Sequence, residues 1–352
     1  MFGHLGYDLK NEIEELTSSH ADNIAFPDLF FFIPNTVLLL RREELCIEAA
    51  NKNAAAEVFA QVTSVAIKNE PVNSNILFQQ RFTKQEYIDT IEKLRQHILR
   101  GDCYEINFCQ EFFSTNVVIN PENVYRLLGE ISPSPFAAFY KINEKYLICA
   151  SPERYLKKEG NTIISQPIKG TGKRDLKNGA ADDQNKTQLF KSAKDRSENV
   201  MVVDLVRNDL SKICIEGSVE VEELFGIYSF PQVHQMISTV RGVLQENISF
   251  ASIIQQTFPM GSMTGAPKKK VMELIEKYEN VKRGIFSGAV GYINPDGDFD
   301  FNVVIRSLLY NNETKYLSYL VGSGITFYSD PVSEYEECLL KASAFKSMFS
   351  GQ

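Results

Sequence analysis

Apolar positions in this chain fall mostly in short alternating runs, interrupted by a few stretches of helical period. The clearest helical stretch follows Thr83-Lys84-Gln85-Glu86, a capping box, with Tyr87, Ile91, Leu94 and Ile98 spaced by four, three and four. It predicts a helix running to about Arg100 and stopping at Gly101. Residues 103–113 then alternate as a strand, and further strands are predicted over 146–150 and 162–167, flanking Ser151-Pro152-Glu153-Arg154. Residues 187–210 lack Gly and Pro and are amphipathic, which predicts one long helix. Pro267 is placed as the first residue of a helix that buries Val271, Leu274, Ile275 and Tyr278. Residues 287–294, 299–310 and 315–321 read as a three-strand meander, and Asp330-Pro331 opens a last helix that reaches Met348.

Before the capping box the pattern is weaker. The apolar run 29–40 is too short to span a bilayer, and Pro34-Asn35 divides it into two strands paired around a turn. Short apolar runs continue to about Ile67, and the mostly polar stretch 69–80 reads as a boundary or crossing segment. Strands and helices without regular β-α-β alternation predict an α+β fold built on antiparallel sheet.

Composition narrows the function classes. A length of 352 residues suits two ordinary domains or one large one, and 43% hydrophobic with 23% charged residues is ordinary for a globular chain. The net charge of −8, with no Lys/Arg block, argues against a nucleic-acid surface, so an anionic ligand must be met by cations placed in a cleft. Six scattered cysteines without a C-x-x-C pair give neither a zinc site nor a disulfide framework. With no signal peptide and no membrane span read in the chain, a soluble cytoplasmic protein is expected.

Candidate chemistry centres on Lys169, in Pro167-Ile168-Lys169-Gly170-Thr171-Gly172-Lys173-Arg174. A lysine in a glycine turn beside two further cations has reason to hold a depressed pKa, and a free amine is a nucleophile. Alone it reads as a surface lysine, and its place between apolar Ile168 and Gly170-Thr171 is what points to a cleft. Neither this run nor 261–268 has the spacing of a nucleotide phosphate loop. Glu334 and Glu337 project from one helix face and Glu198 lies mid-helix; they are solvated surface residues or oxygen ligands for a hard cation. Arg306 interrupts an apolar run and must meet a carboxylate, from the protein or from a ligand. His234 is a satisfied core histidine or a general acid. Gly322-Ser323-Gly324 and Gly261-Ser262 are structural turns or donors of backbone N–H groups to a carboxylate. No Ser/His/Asp order or G-x-S-x-G elbow supports a hydrolase of that type.

Taken together, these motifs resemble the chorismate-utilising enzymes, the family of anthranilate synthase component I, aminodeoxychorismate synthase component I, and the isochorismate and salicylate synthases. The resemblance runs from about Phe82 onward through Ser151-Pro152-Glu153-Arg154, Asp204-Leu205-Val206-Arg207-Asn208-Asp209, Gly265-Ala266-Pro267-Lys268, Ser287-Gly288-Ala289-Val290-Gly291-Tyr292 and Ile305-Arg306-Ser307. It implies antiparallel sheets packed as a sandwich with peripheral helices, a catalytic domain over 81–352, and 1–80 as a shortened remnant of a smaller N-terminal subdomain. Lys169, where anthranilate synthases carry Ala, and Glu105, where isochorismate and salicylate synthases carry Lys, imply amination of chorismate at C4. Lys169 would form a covalent adduct at C2, Glu153 would act as general acid/base, and His234 would lie near the C4 side. Gly170, Thr171, Thr264, Tyr292, Arg306, Gly322 and Gly324 would bind substrate. Mg²⁺ would sit on Glu198, Glu334 and Glu337 and keep part of Lys169 unprotonated. With no Gly-x-Cys-x-Gly turn in the chain, ammonia is expected from a separate glutamine amidotransferase subunit. Anthranilate synthesis, or a non-catalytic chorismate-binding paralogue, is the alternative.

Overall fold

Strand-period runs assemble into two large antiparallel sheets and a separate two-stranded one in the computed structural model, which describes residues 1–66 and 75–349. Among these residues the larger sheet has nine strands. Its path is Ile168–Lys173, Val233–Val243, Thr162–Gln166, Arg154–Glu159, Phe299–Asn302, Ala289–Ile293, Phe2–Leu5 and Leu29–Phe32, with Glu220–Ser229 also paired to Val233–Val243. The smaller has seven: Gly265–Ala266, Glu105–Ser114, Tyr316–Ile325, Ser307–Asn311, Lys145–Ser151 and Phe136–Ile142 in order, with Gln79–Gln80 paired to Glu105–Ser114. Phe2–Leu5 is hydrogen-bonded between Ala289–Ile293 and Leu29–Phe32, so residues from both sides of the sequence boundary at 80 share one sheet.

Period two decides what each face does. In Glu105–Ser114, Ile106, Phe108 and Phe112 pack with Tyr87, Ile91 and Leu94 of the Lys84–Leu99 helix and Phe345 of the Pro331–Phe349 helix. The alternate residue Cys109 joins the core between the sheets, with Leu156, Ile163 and Phe301 from the larger one. Glu105 and Asn107 share that inward parity, which brings polar groups to the sandwich interior. The same alternation in Tyr316–Ile325 turns Leu320, Gly322 and Gly324 inward.

Most predicted elements form. Thr83 and Glu86 exchange both capping hydrogen bonds, and the helix ends before Gly101, whose φ is +82°. Four expectations change. Residues 29–40 supply two strands that do not pair with each other: Leu29–Phe32 joins the large sheet, and Val37–Arg41 pairs with Glu44–Glu48. The helix expected over 187–210 is two helices, Gly179–Lys191 and Ala193–Ser211, because Ser192 adopts extended backbone and its hydroxyl caps the N–H of Asp195. The meander splits between sheets: Phe299–Asn302 and Ser307–Asn311 belong to different ones, and 303–306 crosses over. Val303 and Val304 are both fully buried, so the apolar run carried no period to reveal the crossing. Pro267 precedes its helix, Lys268–Tyr278, by one position. Of the segment 69–80, residues 69–74 lie outside the described residues, as does Ile67. No described helix is long and apolar enough to cross a membrane.

His4, fully buried, is bonded through Nδ1 to the Tyr140 hydroxyl at 2.9 Å and through Nε2 to the Pro27 carbonyl at 2.7 Å. Burial lowers its pKa from 6.5 to about 4, against the opposing pull of the Pro27 carbonyl. The unfolded chain therefore takes up a proton that the folded chain refuses between those values. Stability should be intact above pH 6.5 and fall as pH drops toward 4, by up to about 3 kcal/mol. Urea unfolding at pH 7 and pH 5, compared with His4→Gln, is expected to show the loss only in the wild type.

Candidate active site

Lys169 lies on the Ile168–Lys173 strand of the large sheet and Glu105 opens the Glu105–Ser114 strand of the small one. Across the sandwich, Lys169 Nζ donates to Glu105 Oε1 at 2.8 Å, with the two side chains 12% and 3% exposed. Gly324 makes the room: a Cβ there would lie 2.6 Å from Glu105 Oε1 and 2.8 Å from Lys169 Nζ. Burial lowers the pKa of Lys169, but the Glu105, Glu198 and Glu153 carboxylates outweigh it and hold the ammonium above its ordinary value. The expectation of a depressed pKa is corrected here. The flanking cations are turned elsewhere, Arg174 onto Asp182 at 2.9 Å and Lys173 into solvent.

Glu153 follows the Lys145–Ser151 strand, and its carbonyl receives the N–H of Val303 at 3.0 Å, which ties it to the crossing segment. Its carboxyl is buried, and burial pushes its pKa up to about 7 in spite of the Ser262 hydroxyl, Lys169, the Ile168 N–H and Arg306. Arg306 ends the crossing with φ +49°. Burial lowers its pKa, Glu153 opposes that, and its guanidinium makes no hydrogen bond or ion pair among the described residues. Of its two possible partners, the protein carboxylate acts only at a distance. A ligand carboxylate suits the open fork.

The three acidic candidates come from two helices, Glu198 from Ala193–Ser211 and Glu334 and Glu337 from Pro331–Phe349. Lys194 lies 3.9 Å from Glu198 Oε1 and is under the electrostatic influence of all three. Burial raises Glu198 to about 7; burial and then Glu337 raise Glu334, while Lys341 at 2.8 Å and Lys194 hold Glu337 low against its burial. No group of three His, Cys, Asp or Glu side chains among the described residues is close enough to hold a metal as it stands. The donors are nonetheless all carboxylate oxygens, and burial leaves two of them short of positive charge. They suit Mg²⁺ in kind, since that ion needs only one or two carboxylates.

The other candidates divide. Gly170, at φ +93°, abuts Asp195, and Gly322 packs against Cys109 and Asn107, two residues from the Gly324 contact. Thr264 is fully buried and its hydroxyl donates to the Met260 carbonyl at 3.1 Å; Thr171 is exposed. Tyr292 is 40% exposed with its ring 6.1 Å from that of Phe2, and no described contact brings it to Arg306. His234 pairs with Gly172 across the strands, but both ring nitrogens are engaged, Nδ1 with Ser229 at 2.8 Å and Nε2 with Asp182 at 3.1 Å. That is the satisfied core histidine of the two readings.

Two buried ion pairs, unmarked by the sequence, brace this arrangement. Lys268 meets Asp209 at 2.5 Å and the Thr257 carbonyl at 2.8 Å, joining two of the quoted motifs. Arg283 meets Glu279 at 2.6 Å and donates to the carbonyls of Met263 and Asn107, each at 2.7 Å, while Glu279 receives the N–H of Cys109. An i,i+4 Glu/Arg pair looks solvent-facing in sequence; only its position between elements buries it. Arg283→Ala leaves Glu279 buried without its partner and should cost about 3–5 kcal/mol, read as a lowered urea midpoint.

Residues 1–347 match the family model of the chorismate binding enzymes, and the chain belongs to that family. Within it, the chain is 32% identical to aminodeoxychorismate synthase component 1 of Salmonella typhimurium, over 95% of this chain and 73% of that protein. It is 35% identical to an anthranilate synthase component I-like protein of Synechocystis, over 99% of this chain and 72% of that one. The crystal structure of anthranilate synthase component I from Streptococcus pneumoniae superposes with a TM-score of 0.86 at 28% identity, covering 98% of this chain and 80% of that one. The sandwich of antiparallel sheets with peripheral helices is thus the fold of this family.

Proposed function

We propose that this enzyme is an aminodeoxychorismate synthase component I, which converts chorismate and ammonia to 4-amino-4-deoxychorismate through a covalent adduct on Lys169. The observation that carries this reading is the placement of the Lys169 amine, enclosed between the sheets beside Glu105 and Gly324 and under the influence of Glu153. An alanine in its place could offer no nucleophile.

The chemistry follows from the side chains. Arg306 binds a substrate carboxylate through its unpaired guanidinium. Glu153, held protonated to about pH 7, gives its proton to the C4 hydroxyl as that group leaves. Lys169 attacks C2, and ammonia entering at C4 displaces it. Glu198, Glu334 and Glu337 would hold Mg²⁺, which supplies charge neutralisation of the ring carboxylate. Ammonia comes from a glutamine amidotransferase subunit, and the product serves para-aminobenzoate and folate synthesis in the cytoplasm.

Incubation of the purified chain with chorismate, Mg²⁺ and ammonium salt should yield 4-amino-4-deoxychorismate by mass spectrometry. Anthranilate fluorescence without an added lyase would instead establish the anthranilate reading.

A further inference from the structure

Lys169 is one half of an ion pair, yet attack on carbon needs it as an amine. The proton that separates the two states has a destination within hydrogen-bond distance. Glu105 Oε1 lies 2.8 Å from Nζ, and Oε2 is buried with no hydrogen-bond partner among the described residues. Glu279 shows the opposite arrangement. It takes Nε and Nη2 of Arg283 and the N–H of Cys109 on its two oxygens, so that both are engaged by donors. Glu105 has one donor, and that donor is the nucleophile. The charged groups facing Lys169 are Glu105, Glu198 and Glu153, with Glu337 on the last helix also coupled to it.

We propose that Glu105 is the proton acceptor of Lys169, taking one proton before the attack at C2 and returning it when the lysine is displaced. This role rests on the amination reading. The Nζ–H bond breaks as Oε1–H forms, and the freed electron pair makes the Nζ–C2 bond. The ring electrons shift, C4–O breaks, and the oxygen leaves as water with the proton of Glu153. Ammonia then forms the C4–N bond, the electrons of C2–Nζ return to nitrogen, and the neutral amine recovers its proton from Glu105. Lys169 and Glu105 end as they began, and Glu153 is reprotonated from solvent.

Glu105→Gln keeps the shape and an oxygen that can accept from Nζ, but it cannot take the proton. Amination kinetics from pH 6 to 10 should show kcat reduced by about 100-fold or more with the KM for chorismate within about threefold. The residual rate should lose the alkaline decline of the wild type, because rising hydroxide, replacing the carboxylate as base, offsets the falling acid form of Glu153. A kcat within fivefold of wild type, or a loss with the wild-type pH dependence, overturns the proposal. Trace acetylation of Lys169 at pH 8, mapped by peptide mass spectrometry, is expected to run about tenfold faster in Glu105→Gln, because the one carboxylate hydrogen-bonded to the ammonium is then gone. Equal labelling would mean that the pair does not form in solution, and the proposal fails. A wild-type chain that aminates nothing overturns the amination reading and the acceptor role with it, while the labelling still reports whether Glu105 holds Lys169.

Discussion

Lys169→Ala should lower ammonia-dependent formation of 4-amino-4-deoxychorismate to below about one thousandth of the wild-type rate, with chorismate still bound. The amine is the only atom of that side chain in a position to react, and its loss leaves the Arg306 guanidinium and the Gly322–Gly324 strand untouched. The substitution also strands Glu105, buried and without its one donor, so a thermal melt must accompany the assay. Mass spectrometry of the wild type quenched during turnover should find substrate mass on the peptide carrying Lys169. Turnover by Lys169→Ala at the wild-type rate would remove nucleophilic catalysis from the account.

The second large effect is expected at Glu153. Glu153→Gln keeps the buried volume but cannot donate a proton to the leaving hydroxyl, and kcat should fall by roughly 10²–10⁴-fold. Because burial raises this carboxyl to about 7, the wild-type acid form is lost as pH climbs through that value, and kcat should decline on the alkaline side. The Gln variant should lack that limb. A variant that retains the alkaline decline would assign it to another group.

Local signals in the chain were readable where a residue acts on its own element. Thr83 and Glu86 announce a helix start because both partners lie within one turn. Ser192 gives no such signal, because a serine inside an apolar-periodic run looks like an exposed helical position, whereas its hydroxyl offers Asp195 a cap that ends one helix and begins another. The carboxylates, the lysine and Arg306 could be named from motifs, but their partners could not. Glu105 and Lys169 are 64 residues apart and meet only once two sheets stack. Tyr292 shows the converse: its motif drew it into the substrate set, while its strand turns its ring toward Phe2.

Gly324 also limits what this protein can become. The Lys169–Glu105 ion pair occupies the volume a side chain would need, so every residue larger than glycine at that position must displace either the amine or its carboxylate. Along the Tyr316–Ile325 strand the helix-facing Leu317, Tyr319 and Val321 answer to core packing, whereas position 324 answers to the ion pair. A saturation library at 324 should return glycine alone among active clones, even where other residues fold.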